Sequence, residues 1–207
     1  MLNKKPGKIV IISSPSGGGK TSICRKLLSP ARKKAGWGFS VSYTTRAKRV
    51  GERNGREYHF VSEADFKKKI KQNFFAEHFK VHLYHYGTPR KPMEQVIKSG
   101  GVMLLDVDVQ GAKRLRKEYP QAVTIFILPP SIRELRKRLR RRGTETEAQL
   151  KVRFENAKKE IKEYPSFDYV VINEELNQAV EEVLAIIKCY HCRPKNLTTE
   201  QIKKLSV

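Results

Sequence analysis

Eight residues, Ser14-Pro15-Ser16-Gly17-Gly18-Gly19-Lys20-Thr21, constrain this chain more than any other stretch. They follow Lys8–Ile12, a short β-branched run that reads as a buried strand, and precede Ser22–Leu28, a helix-forming segment. A strand, a glycine-rich turn and a helix opening on Lys and Thr make a phosphate cradle. With no side chains at Gly17, Gly18 and Gly19, backbone N–H groups can close around phosphate oxygens. The helix N-terminus adds further N–H groups and a positive dipole end. In this pattern Lys20 reaches the β- and γ-phosphates and the Thr21 hydroxyl ligates Mg²⁺. One position departs from it: the signature opens on Gly, and Ser14 stands in that place. A Cβ there makes a tight turn or a positive φ more costly.

A chain of 207 residues suits one compact α/β domain with small inserted lobes. Apolar runs alternate with helical patterns, which predicts a parallel sheet covered by helices. Core strands are expected at Lys8–Ile12, Val102–Asp106, Val123–Leu128 and Tyr169–Ile172, with a further one near Phe39–Ser42. Helices are expected at Lys20–Leu28, Pro92–Lys98, Ile132–Arg141, Glu145–Glu163 and Leu176–Tyr190. Between Ser42 and Thr88 the texture changes to short alternating runs, a turn at Asn54-Gly55 and a short helix near Glu63–Gln72. That is an inserted α+β lobe, suited to a second substrate. The arginine-rich stretch from Arg136 to Ala157 reads as a mobile helical flap. Both parts suit phosphoryl transfer, where closure excludes water from a reactive phosphate.

No run of about 18 apolar residues exists, and the start of the chain carries no signal-peptide pattern, so a cytoplasmic protein without membrane contact is expected. Three cysteines fit a reducing compartment. Cys24 reads as a small core residue. Cys189 and Cys192, with His191 between them, lack the second pair that a structural zinc site needs. The formal net charge of +22 implies polyanionic ligands. No RNA- or DNA-binding motif accompanies it, so nucleotide phosphates are favoured over nucleic acid.

The run Gly101-Val102-Met103-Leu104-Leu105-Asp106-Val107-Asp108-Val109-Gln110-Gly111 is an apolar strand ending in carboxylates. An Asp at the C-terminal end of a neighbouring core strand can orient Mg²⁺ through its waters, and Asp106 is the candidate. Asp108, two residues on, is placed to face a second substrate.

Taken together, several blocks resemble the guanylate kinases, P-loop nucleoside monophosphate kinases that phosphorylate GMP with ATP. They are the phosphate loop, Phe39–Arg46, Gly51–Tyr58, Tyr86-Gly87-Thr88, Leu105–Gly111 and Arg142-Gly143-Thr144-Glu145, in that order between Lys8 and Asn173. The resemblance implies a P-loop NTPase-type three-layer α/β fold with a parallel sheet core (1–38, 89–135 and 158–207), a GMP-binding lobe (39–88) and a helical lid (136–157). ATP would then meet Ser14, Pro15, Ser16, Gly17, Gly18, Gly19, Lys20, Thr21, Ser22, Arg138 and Asn173, the last near the adenine. The GMP phosphate would meet Arg46, Arg49, Tyr58 and Tyr86; guanidinium groups bind phosphate through paired, charge-assisted hydrogen bonds. The guanine would meet Ser42, Glu77, Thr88 and Asp108. Guanine presents N1–H and N2–H₂ as adjacent donors to a carboxylate, whereas adenine would present a lone pair to Glu77.

Lys20, Arg46, Arg142 and Arg153 are the implied catalytic set, with Thr21 and Asp106 at Mg²⁺. The acceptors are GMP and dGMP, in a monomer or homodimer. Lys48, His78 and His85 depart from the family's usual residues without removing a charged group. A non-enzymatic binding module of the same fold, a nucleic-acid-binding protein and a kinase acting on a ribose phosphate remain as alternatives.

Overall fold

The computed structural model describes residues 7–81, 83–141 and 147–190. The chain opens with β1 (Lys8–Ser13), α1 (Lys20–Leu27), α2 (Pro30–Lys34) and β2 (Trp37–Ser40). An inserted lobe follows: β3 (Tyr43–Thr44), β4 (His59–Phe60), α3 (Glu63–Lys71), β5 (Phe75–Val81) and β6 (Tyr84–Pro89). The chain then returns through α4 (Arg90–Ser99), β7 (Val102–Asp106), α5 (Val109–Glu118) and β8 (Val123–Leu128). It ends in α6 (Ile132–Arg140), α7 (Glu147–Ile161), β9 (Tyr169–Ile172) and α8 (Leu176–Tyr190).

The β-branched and leucine-rich runs form a five-stranded parallel sheet in the order β2-β7-β1-β8-β9. Strand alternation explains its two cores. Val10 and Ile12 of β1 face α1 and α8, packing with Ile23, Cys24, Leu27, Val183 and Ile187. Ile9 and Ile11 face the other way, towards Met93 of α4 and Leu115 of α5. Such two-sided burial is what makes parallel strands nearly continuous apolar runs, and it gives the expected three layers. A separate mixed sheet, β4-β3-β6-β5, makes the lobe. Its packing is aromatic: Phe66 of α3 stacks on Phe75 at 4.6 Å. A third small core joins α6 to α7 through Leu135, Leu139, Phe154 and Ala157.

Several boundaries differ from the sequence reading. The strand expected near Phe39–Ser42 lies at Trp37–Ser40 and belongs to the main sheet. The long helix expected over Glu145–Glu163 runs from Glu147 to Ile161, and Pro165 then sits in a 3₁₀ turn, Tyr164–Ser166. Positions 136 and 157, the expected lid limits, fall inside α6 and α7. The acidic run after β7 is not a strand extension. Asp108 caps α5, its side chain accepting from the Gly111 N–H at 2.8 Å. Among the described residues, no helix is long and apolar enough to cross a membrane.

The edge strand β9 is tied in by a polar clamp. Asp168 Oδ2 accepts from Thr124 N at 2.9 Å and from Thr124 Oγ1 at 2.8 Å, while Asp168 N donates to Thr124 Oγ1 at 2.9 Å. Arg116 Nη2 reaches Asp168 Oδ1 at 2.8 Å. Thr124 is buried, so removing its acceptor leaves unpaired groups that cost about 1–3 kcal/mol. Asp168→Ala should therefore lower Tm by roughly 2–12 °C in a thermal melt. A Tm matching the parent would contradict this role.

Candidate active site

The phosphate loop joins β1 to α1 and is held in shape from several sides. Gly19 is the N-cap of α1 with φ +97°, and Gly17 has φ +88°. A Cβ at Gly19 would also fall 2.2 Å from the Asn173 amide nitrogen. Gly18 N donates to Pro15 O at 2.9 Å, closing the turn. The cost expected of Ser14 is absent: it is not among the residues with positive φ, and its buried hydroxyl donates to Pro15 O at 2.9 Å. The room comes from Gly18, where a Cβ would stand only 2.7 Å from the Ser14 Cβ.

Asn173, expected beside an adenine, is buried against the loop. Its Nδ2 donates to Gly18 O at 2.9 Å, and its backbone carbonyl accepts from Arg138 Nη2 at 3.0 Å. Arg138 also meets Glu134 at 3.1 Å. Both residues thus brace the loop from behind.

Parallel pairing sets Ile12, near the end of β1, beside Asp106, at the end of β7. That register brings Asp106 to the start of α1. Thr21 Oγ1 donates to Asp106 Oδ2 at 2.6 Å, and Lys20 Nζ lies 3.4 Å from Asp106 Oδ1. Burial penalises the Lys20 ammonium, but Asp106 and its neighbours outweigh it and hold the lysine above its ordinary range. Lys20 is therefore cationic across physiological pH.

Facing the loop across a cleft, the lobe presents a second cationic set. Arg46 pairs with Glu52 through one nitrogen, Nη2 donating to Oε1 at 2.8 Å and to Oε2 at 3.0 Å. Its guanidinium lies 5.5 Å from the Tyr58 ring and 5.6 Å from the Phe60 ring. Burial works against the Arg46 charge, yet the Glu52 hydrogen bonds keep it firmly protonated. Glu52 also accepts from the Arg49 N–H at 2.8 Å, so it fixes the turn that carries both arginines. Arg49 itself is exposed. Tyr58 and Tyr86 meet edge to face, 5.8 Å apart.

Deeper in the lobe sit Ser42, Glu77 and Thr88, all buried. Thr88 Oγ1 donates to Glu77 Oε1 at 2.6 Å across the β5–β6 pair. Glu77 Oε2 is buried and meets no hydrogen-bond donor among the described residues. A buried carboxylate oxygen without a donor is costly. Burial pushes the Glu77 carboxyl up to about 7, with Asp108 adding to the rise and the Thr88 hydroxyl opposing it. Burial raises Asp108 as well, against the Gly111 N–H it caps.

The cleft lining includes Ser14, Ser16, Lys20, Ser42, Tyr58, Glu77, Tyr86, Asp106 and Asp108 of the expected site residues, but not Arg46, Arg49 or Thr88. The cleft volume is about 210 Å³, at the small end for a ligand pocket. Arg153 of α7 reaches the loop, its Nη2 donating to Ser16 Oγ at 2.7 Å. Arg142 and the motif following it lie outside the described residues.

Two residues of the site escaped the sequence reading. Glu52 lay inside the block Gly51–Tyr58, of which only Tyr58 was singled out. Glu160 of α7 lines the cleft and accepts from the Ser16 N–H at 2.9 Å. Its signal was available, since it stands seven residues after Arg153 and hence on the same helix face.

The chain is similar to known proteins over most of its length. The family model for guanylate kinase matches residues 6–190. A guanylate kinase of Caldanaerobacter subterraneus is 42% identical over 193 residues, covering 93% of this chain and 92% of that protein. One of Thermotoga maritima is 44% identical over 182 residues, covering 88% and 86%. The crystal structure of guanylate kinase from Anaplasma phagocytophilum superposes with a TM-score of 0.77 at 33% identity, covering 92% of this chain and 89% of that one.

The Glu77 environment sets a pH signature for stability. Its folded value near 7 exceeds the ordinary 4.5, so the folded state holds this proton more tightly than the unfolded one. The associated stability is complete below about pH 4.5 and is lost as pH rises through 7. Its full size is on the order of 3 kcal/mol. Glu77→Gln removes the ionisation, so its Tm gain over the parent should grow from about 1–2 °C at pH 4.5 to about 6–12 °C at pH 8.5. Melts at several pH values check this; a difference independent of pH would contradict it.

Proposed function

This chain belongs to the guanylate kinase family, and we propose how its two sites divide that reaction: the phosphate loop receives ATP, the inserted lobe receives GMP, and the γ-phosphoryl group passes between them to give ADP and GDP. The observation that carries the assignment of the lobe is the buried, donor-free Glu77 Oε2 beside Thr88. Guanine offers two adjacent N–H donors there, with Ser42 and Asp108 completing the edge. Losing a charge-assisted hydrogen bond costs about 1.5–3 kcal/mol, and a base that places a lone pair against Glu77 suffers more. The residues assigned to the acceptor read its base and phosphate, which dGMP shares, so dGMP serves as a second acceptor.

The chemistry needs positioning and charge neutralisation more than proton transfer. A monoester phosphate has its second pKa near 6, so the acceptor oxygen is already anionic at neutral pH and no general base is required. Arg46 and Arg49 hold the acceptor phosphate, with the Tyr58 and Tyr86 hydroxyls beside it. Because Glu52 already fixes the Arg46 guanidinium, little side-chain freedom remains to be lost when phosphate arrives. Lys20, the loop N–H groups, Arg153 and Arg142 neutralise the transferring group. Arg138 and Asn173 act through the loop that they brace.

The donor set fits Mg²⁺. The Thr21 hydroxyl and the Asp106 carboxylate are adjacent oxygens at the loop, and among the described residues no cluster of three or more His, Cys, Asp or Glu competes with them. Mg²⁺ prefers a few protein oxygens, with phosphate and water supplying the rest. When bound, it would neutralise charge on the β- and γ-phosphates. Thr21 would hold it directly, and Asp106 through water.

Lys20→Ala separates the two halves of the site. It should lower kcat by roughly 10²–10³-fold while leaving GMP affinity within about threefold. Steady-state kinetics and GMP calorimetry check this. Retained turnover, or loss of GMP binding with a wild-type kcat, would contradict the division of roles.

A further inference from the structure

Ser16, at the apex of the phosphate loop, is gripped twice by one helix. Arg153 Nη2 donates to its hydroxyl at 2.7 Å, and Glu160 Oε2 accepts from its backbone N–H at 2.9 Å. Seven residues make nearly two helical turns, so both side chains leave the same face of α7, about 10 Å apart along its axis. The neighbouring residue is held by the other lid-side helix. At Gly17, a Cβ would come within 3.1 Å of Leu135 and 3.2 Å of Leu139. These leucines share a core with Phe154 and Ala157 of α7. The α6–α7 pair therefore sits on the loop apex through apolar contact at Gly17 and polar contact at Ser16.

Of the two polar contacts, the Glu160 one is better suited to fix the helix. Its acceptor meets a backbone donor, whose position is set by the loop itself. Arg153 meets a rotatable hydroxyl on a long, flexible side chain. Burial pushes the Glu160 carboxyl up, and the Ser16 N–H, Lys20 and Arg153 oppose that rise, while Asp108 adds to it. A partly buried carboxylate facing a site for polyphosphate is disfavoured unless a well-placed hydrogen bond offsets its burial, and the Ser16 N–H supplies one.

We propose that Glu160 is a positioning residue: its bond to the Ser16 N–H registers α7 on the phosphate loop and thereby delivers the Arg153 guanidinium to the transferring phosphoryl group. This rests on the assignment of Arg153 to that group. Glu160 touches no reacting atom, and its effect on rate passes through Arg153. An amide oxygen accepts the same bond, so the anchor needs an acceptor at this position and not a charge.

The test compares Glu160→Gln, Glu160→Ala and Arg153→Ala in the full chain, with Glu160→Asp, whose carboxylate is withdrawn by one methylene, as a second truncation should Glu160→Ala fail to fold. Glu160→Gln should keep kcat within about threefold of the parent. Glu160→Ala or Glu160→Asp should lower kcat by about 10–100-fold, with KM for GMP within about twofold. Added to Arg153→Ala, the truncation should cost less than a further twofold or so, because the arginine it positions is already gone. Hydrogen exchange at the Ser16 amide gives a readout independent of activity: protection should persist in Glu160→Gln and fall in the truncations. Multiplying losses in the double variant would overturn the proposal, as would unchanged Ser16 protection in the truncations. A gain in ATP affinity shared by Glu160→Gln and Glu160→Ala would also overturn it, since that would make Glu160 a competitor of phosphate. An Arg153→Ala variant with full activity would reject the catalytic assignment of Arg153, whereas the exchange data judge the anchor alone.

Discussion

The parallel register that sets Ile12 beside Asp106 decides where every other part of this site must stand. β1 ends in the phosphate loop and β7 ends in the carboxylate, so in-register pairing brings Asp106 against Lys20 and Thr21. A slip by one residue would turn Asp106 to the opposite face of the sheet. The register is protected by burial on both faces, where Ile9 and Ile11 pack on one side and Val10 and Ile12 on the other. The apolar core thus does more than supply stability. It fixes the relative position of Lys20, Thr21 and Asp106.

Around that fixed point the cleft is electrostatically unusual for so basic a chain. In a protein of formal net charge +22, it gathers Glu77, Asp106, Asp108 and Glu160. Each has a defined partner: Thr88 for Glu77, Lys20 and Thr21 for Asp106, the Gly111 N–H for Asp108 and the Ser16 N–H for Glu160. Burial raises Glu77, Asp108 and Glu160 together, so the cleft holds protons more readily than exposed carboxylates do. The surrounding positive surface favours polyanionic ligands at long range. In the proposed division of the site, base selection falls to Glu77 and its neighbours instead.

The sequence carried the strand–loop–helix core clearly because its signals are local: a β-branched run, then glycines, then Lys and Thr. It carried the lobe through a resemblance whose blocks stay together in order. Features that depend on distant contacts were harder to see. Helix α5 was not among the expected helices, because the run through Gly111 was read as an apolar strand ending in carboxylates and only the Asp108 side chain reveals the cap. Helix α2 is short, opens at Pro30 and was not among the expected helices. Asn173 braces the loop from 155 residues away, which no local pattern announces. Ser14 looked like a defect until its partner, Gly18, was seen to make room for it. Glu52 and Glu160 act by holding other residues, and such roles appear only once the geometry is known.

The central claim is that the lobe selects guanine while the loop supplies the phosphoryl group. A phosphate-acceptor panel tests it most directly, with ATP and Mg²⁺ held constant and ADP formation followed for GMP, dGMP, AMP, UMP and dTMP. The account predicts turnover with GMP and dGMP and background rates with the other three. Turnover of AMP, UMP or dTMP without turnover of GMP would contradict it.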